Sequence, residues 1–196
     1  MNAVVAAALP RDTYYDAALK TQAIRLLPAD YAASDAPIAV VTLLGSCVAA
    51  CLHDPLAALG GMNHFMLPGG AGNESVCARY GVHAMELLIN DLLKRGARRQ
   101  RLQAKVFGGG NVLSGFQNPI GDRNASFVLE YLDAERIPVL AQDLGDIHAR
   151  KVAFFVQSGR TLVRRLPSTR NDVVDAERAL YAKLARAPAS GSVELF

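Results

Sequence analysis

The sequence predicts an α/β fold in layers, with a mixed, largely antiparallel sheet covered by two helices. Short apolar runs at 38–42 and 48–52 are bounded by Gly, Pro and Asp, the punctuation of strands. Two other segments, at 78–95 and from Asn124 onward, repeat apolar residues at helical spacing. Strands and helices follow one another without a regular βαβ alternation, and no internal repeat or long low-complexity stretch is visible.

Residues 1–23 lack strong periodicity and read as an extension, with the compact domain expected over 24–168 and a helical tail over 169–196. Within the domain the first strand is expected at 38–42, followed by a hairpin over 47–66 whose turn is marked by Asp54-Pro55. Residues 68–73, Pro-Gly-Gly-Ala-Gly-Asn, form a loop fit for a lid or groove wall. The helix over 78–95 carries Val82, Met85, Ile89, Leu92 and Leu93 on one stripe and ends at Lys94-Arg95-Gly96, a basic last turn before a stop glycine. A buried strand at 102–107 runs into Gly108-Gly-Gly-Asn111. The second helix opens at Asn124 as its cap and buries Phe127, Val128, Tyr131 and Leu132. Strands at 137–141, 152–156 and 161–166 complete the domain, the last two as a hairpin around Ser158-Gly159. In the tail, Val173, Leu180, Tyr181 and Leu184 are the apolar positions of a helix that docks on the core or on a partner.

The chain has 196 residues, enough for one substantial core. Its net charge of +3 on 20% charged residues is too mild for a nucleic-acid surface, and no aromatics interleave with the basic cluster at 95–101. Three cysteines, Cys47, Cys51 and Cys77, cannot all pair within the chain, which favours a reducing compartment. The alanine-rich start has no preceding Lys or Arg, so no secretory signal is expected. The apolar stretch 36–52 is shorter than a bilayer span of about 20 residues and is interrupted by Pro37, Thr42, Gly45 and Ser46. A cytoplasmic protein without membrane insertion is the expectation.

The chemistry concentrates around Cys47 and His64. Gly45-Ser46 delivers Cys47 to the start of an apolar strand, and the next strand carries Asn63-His64. If the turn is 54–57, His53 faces Ala58, Cys51 faces Gly60 and Cys47 faces His64, all on one side of the hairpin. Directly opposed side chains have Cβ atoms about 5 Å apart, within reach of a thiol–imidazole hydrogen bond. A thiol of ordinary pKa is mostly protonated at neutral pH, so a nucleophilic cysteine needs a base, and His64 is placed to be one. Thr42, on the adjoining strand, offers an oxygen to hold the imidazole tautomer.

Blander readings stand beside this one. Cys47 and Cys51 could fill a core, since cysteine is among the most buried residue types. A zinc site would draw on Cys47, Cys51, His53, His64 and Cys77, but Cys47 and Cys51 on one strand are about 13 Å apart, poor geometry for a closed site. No metal or cofactor is expected. His83 on the helix, His148 in a loop and Cys77 just before the helix read as solvated or packed. Gly108-Gly-Gly-Asn111 lacks the Lys-Ser/Thr of a phosphate loop and reads as close backbone packing. Arg123 fits a structural ion pair or the ordering of adjacent loops.

The ordered motifs Thr42-Leu-Leu-Gly-Ser-Cys47, Gly60-Gly-Met-Asn-His64, Gly108-Gly-Gly-Asn111, Ile120-Gly-Asp-Arg-Asn124, Asp143-Leu-Gly and Arg150-Lys-Val resemble the chemoreceptor glutamine deamidases of the CheD family over about 26–166. The resemblance implies a layered α/β sandwich similar to deamidating bacterial toxins. It implies hydrolysis of receptor glutamines to glutamates, with Cys47 as nucleophile, His64 as base and acid and Thr42 orienting His64. Gly45, Ser46, Asn63 and Arg123 are then expected to shape the site or bind substrate. The implied partners are methyl-accepting chemoreceptors and a CheC-type phosphatase. Asp146 stands where the family pattern has a second glycine after Gly145. A binding module without turnover, and a different thiol enzyme such as a peptidase or transglutaminase, are the alternatives.

Overall fold

The computed structural model describes residues 13–67, 74–112, 120–167, 175, 177–179 and 182, with side chains of 74–78 left out. The strands are β1 Thr13–Asp16, β2 Thr21–Arg25, β3 Tyr31–Ser34, β4 Ile38–Leu44, β5 Val48–Asp54 and β6 Leu59–Asn63. Helix α1 spans Glu74–Lys94, and β7 Gln103–Gly108, α2 Ile120–Ala134, β8 Val139–Leu144, β9 Arg150–Phe155 and β10 Thr161–Arg165 follow. The strands form two five-stranded sheets, ordered β1-β2-β4-β9-β10 and β3-β6-β5-β7-β8. Among the described strands, only β2/β4 and β7/β8 pair in parallel. The layered α/β architecture with mixed, largely antiparallel pairing is as expected; its strands divide between two sheets stacked face to face, with α1 and α2 covering the second.

Two clusters of buried side chains hold these layers. Between the sheets pack Val40, Leu44, Val152 and Phe154 against Ala49, Cys51, Met62 and Phe107. Between the second sheet and the helices pack Val48, Ala50, Leu52 and Val106 against Leu88, Ile89, Leu92, Val128 and Leu132. Strand β5 lies in the middle and is apolar at every position but its end, because even residues face the helices and odd residues face the other sheet. Cys51 is therefore a core residue, as the packing reading had it, and burial pushes its thiol pKa up.

Several expectations are corrected. The boundary near residue 23 falls inside β2, which with β1 extends the first sheet, so the described part of that sheet reaches back to Thr13. Both strands are short and border on solvent, and neither shows the alternation that marks a half-buried strand. Helix α1 already includes Cys77. Val82 is exposed and Leu88 lies inward instead. Helix α2 opens four residues early, which puts Asn124 inside it rather than at its cap. The glycine loop at 68–73 lies outside the described residues.

The hairpin register also differs. His53 faces Gly60 rather than Ala58, and Cys51 faces Met62 rather than Gly60. Asp54 is the cause: fully buried, it accepts from Leu56 N, Ala57 N and Arg98 N and pairs with Arg101 at 2.7 Å, so it stays in the ladder opposite Leu59. The turn moves on to 55–58 and closes through Ala58 at φ 48°. A shift of two residues preserves which face each side chain takes. Cys47 and His64 keep to the same face, diagonal rather than directly opposed.

Candidate active site at Cys47 and His64

Cys47 sits in the turn between β4 and β5, fully buried. The carbonyls of this turn are all held from one side: Gly110 N donates to Gly45 O at 2.7 Å, Gly109 N to Cys47 O at 2.8 Å and Asn124 Nδ2 to Ser46 O at 2.7 Å. The glycines at 108–110 are required by that approach. A Cβ on Gly108, at φ 109°, would lie 2.2 Å from Cys47 O. The close-packing reading of this glycine run is the one the structure bears out.

With the carbonyls taken by the glycine run and Asn124, the three N–H groups are left free to converge on one carboxylate. Gly45 N and Cys47 N donate to Glu177 Oε1 at 2.7 and 3.0 Å, and Ser46 N and Ser46 Oγ donate to Oε2 at 2.6 and 2.7 Å. Successive N–H groups aimed at one point form an anion-binding concavity. Glu177 comes from the tail, where 177–179 are helical, and its side chain is 1% exposed. A Cβ on Gly45 would fall 2.6 Å from Glu177 Oε2, so this position has to be glycine for the carboxylate to fit.

His64 follows β6 and is fixed at its backbone by the 27–30 turn: His64 N donates to Asp30 O and Ala29 N donates to His64 O. Its Nδ1 lies 2.8 Å from Thr42 Oγ1. The Thr42 hydroxyl donates its one proton to Leu26 O at 3.0 Å, so toward the imidazole it accepts, and Nδ1 carries the ring proton. Nε2 is left as a lone pair with no hydrogen-bond partner in the described structure. Cys47 Sγ, a ring nitrogen of His64 and a Glu177 oxygen lie within 4.8 Å of one another. Burial drives the His64 pKa down from 6.5 to about 3. Burial, and then the charge and hydrogen bond of Glu177, drive the Cys47 thiol well above its ordinary value. Thiol and imidazole are therefore both neutral, a proton-transfer pair rather than a preformed ion pair.

A sulfur, an imidazole and a carboxylate at this spacing are also a donor set for a cation. Four donors already compete for the lone pairs of the two Glu177 oxygens, which makes this carboxylate a poor ligand. Of the zinc candidates, His53 is bound through Nε2 to Gln157 O and Cys51 lies in the core, so only Cys47 and His64 are brought together among the described side chains.

Of the other expected residues, Asn63 supports the site from behind. Its Oδ1 takes the Ala50 N–H at 2.9 Å and its Nδ2 donates to Ala84 O on α1, so it ties β5, β6 and α1 together. Arg123 is half-buried on the first turn of α2, and no ion pair involving it occurs among the described residues. Its neighbour Asn124 does the ordering instead: one end holds Ser46 O and the other accepts from Leu67 N at 2.9 Å, which links the cysteine turn to the segment after His64. Asp146 adopts φ 66°, a left-handed conformation that aspartate tolerates, with Oδ1 accepting from Ile147 N. The left-handed position is thus occupied without a glycine, and Asp146 O receives Asn111 N at 2.7 Å.

Sequence reasoning missed Glu177, Asn124 in its bridging role, and Leu26. A signal for Glu177 exists: it falls four residues after Val173 and three before Leu180, a charge on the apolar stripe of the tail.

A buried thiol, an imidazole with one unpartnered nitrogen and a cradle of backbone donors on an α/β sandwich are the parts that thiol-dependent acyl-transfer enzymes use. The sequence model described as CheD chemotactic sensory transduction matches residues 66–165. The chain is 56% identical over 185 residues to the probable chemoreceptor glutamine deamidase CheD of Stenotrophomonas maltophilia (strain R551-3), covering 93% of both chains. It is equally similar, over the same share, to the protein of that name from Xanthomonas campestris pv. campestris (strain B100), and 48% identical over the full length of both chains to that from Thiobacillus denitrificans. The chain belongs to the CheD family.

Proposed function

We infer that this protein hydrolyses the side-chain amide of selected glutamines on chemoreceptors to glutamate, as the names of its relatives describe for them. The observation that carries the mechanism is the Thr42–His64 hydrogen bond, which sets the tautomer and leaves Nε2 free. In this reading Nε2 takes the Cys47 proton as the sulfur attacks the amide carbon. The oxyanion enters the Gly45–Cys47 cradle, where donors already in position meet the developing charge without reorganisation. The tetrahedral intermediate collapses with breakage of the C–N bond, and His64 returns the proton to the departing ammonia. Water, deprotonated by the same Nε2, then attacks the thioester, releasing glutamate and the Cys47 thiol.

A cavity of about 580 Å³ opens beside Thr42, His64 and Glu177 and is rimmed by Arg25, Lys151 and Arg164. That basic rim suits a receptor segment that gains carboxylates as it is modified. No helix among the described residues is long and apolar enough to cross a membrane. A CheC-type phosphatase belongs to this proposal as a second partner, checked by co-purification of the two proteins.

The experiment incubates the protein with receptor cytoplasmic fragments and reads amide-to-acid conversion by peptide mass spectrometry together with released ammonia. Conversion by the wild type and none by Cys47→Ala is expected. Binding with no conversion by either would make this a non-catalytic module. Amine incorporation without hydrolysis would make it a transglutaminase.

A further inference from the structure

We propose that the Gly45–Cys47 cradle is a carboxylate site for the glutamate side chain of the product, and that Glu177 fills it as a product mimic carried on the chain's own tail, which must withdraw before a receptor glutamine enters. The inference rests on the reading of Cys47 as the deamidating nucleophile.

The ligand chemistry follows from the donors. The four donors of the cradle are N–H or O–H groups, three of them main-chain N–H that cannot accept. Two carboxylate oxygens satisfy them completely. A glutamine amide offers one oxygen, and its NH₂ would have to face another donor, Ser46 N, at the second position. The cradle therefore favours the carboxylate product and the oxyanion over the amide ground state, the differential that accelerates the reaction and also retains its product. Glu177 is the same side chain as that product. It is presented from a helical stretch and reaches within 4.8 Å of Cys47 and His64, and no other acidic side chain among the described residues reaches the cradle.

The consequences for access are direct. Cys47 is fully buried, His64 is 2% exposed and Glu177 1%, so no substrate amide reaches the sulfur while the tail is in place. The carboxylate also disfavours the thiolate by its charge, a second brake released when the tail leaves. Withdrawal exposes the three N–H groups to water, so opening needs no other protein group to take their place. A receptor segment competes with the tail for one site, and the apparent affinity for substrate is reduced by the fraction of molecules that are open.

Two full-length variants test this. Glu177→Ala removes the carboxylate, and alkylation of Cys47 by iodoacetamide, followed on its own peptide, is expected to accelerate by about tenfold or more, as when the closed form holds roughly nine molecules in ten. KM for receptor fragments should fall while kcat holds. Glu177→Gln presents the isosteric amide to Cys47, and the expected result is conversion of Gln at 177 back to Glu in cis with release of ammonia. The same substitution in a Cys47→Ala background should remain amide. Unchanged Cys47 alkylation in Glu177→Ala, with wild-type KM, overturns the proposal even if receptor deamidation is intact. Faster alkylation with no receptor deamidation by any variant instead removes the assigned activity and leaves the tail closure standing.

Discussion

Replacing Thr42 by valine tests the smallest part on which the chemistry depends. The shapes are similar, but the substitution removes a hydroxyl that donates to Leu26 O at 3.0 Å and accepts from His64 Nδ1 at 2.8 Å. Two buried groups lose their partner, and each orphaned group costs about 1–3 kcal/mol of stability. The kinetic effect is separate. As His64 takes the Cys47 proton it becomes an imidazolium, and the Nδ1–H bond to Thr42 becomes charge-assisted, worth about 1.5–3 kcal/mol. Losing it lowers kcat by about 10- to 100-fold. Thr42→Ser keeps the oxygen and should stay within a few fold of wild type. The assay is steady-state ammonia release from receptor fragments, at a temperature where circular dichroism shows both variants folded. Wild-type kcat in a folded Thr42→Val protein would refute the orienting role, and loss of activity in Thr42→Ser equal to that of valine would show that packing rather than hydrogen bonding is at work.

Three further outcomes are expected. Because His64 is buried with its pKa lowered to about 3, the unfolded chain binds its proton first as pH drops below 6.5. That contribution to stability is complete above 6.5 and is lost toward 3, amounting to about 1.5 kcal/mol between pH 6.5 and 5. Urea unfolding should show this loss in the wild type and not in His64→Gln, and parallel pH profiles would contradict it. Asn124→Ala strands Ser46 O and Leu67 N and should cost about 2–4 kcal/mol in denaturant unfolding; a change within 0.5 kcal/mol, about the size of a neutral surface substitution, would contradict it. Gly108→Ala drives a Cβ into Cys47 O at 2.2 Å from a left-handed backbone, so soluble protein of that variant should lose deamidation by at least roughly tenfold through displacement of the cradle; full activity would show that the glycine run does not hold the turn.

What could be read in the sequence divides by range. The central strands β4 and β5 are visible because burial on both faces writes a continuous apolar run, and α1 and α2 because their buried stripes repeat locally. The pairing of Cys47 with His64 is also local, carried by one hairpin, and it survives a register error because a two-residue shift keeps each side chain on its face. That error came from Asp54, whose partners Arg98 and Arg101 lie 44 and 47 residues away. Asn124 looked like a helix cap because an asparagine's partners cannot be read from its neighbours, and here they are 57 and 78 residues distant. Glu177, some 130 residues from the turn it caps, was out of reach of any local rule except its odd place on an apolar stripe.

The central claim is that Cys47 forms the covalent bond to the substrate. Rapid quenching of the enzyme with a receptor fragment at acid pH, followed by intact-mass and peptide analysis, tests it most directly. A thioester adduct on the Cys47 peptide is expected in the wild type, cleared as glutamate appears. Its accumulation should increase when hydrolysis is slowed, and Cys47→Ala should show neither adduct nor product. Undiminished glutamate formation by Cys47→Ala would contradict the claim.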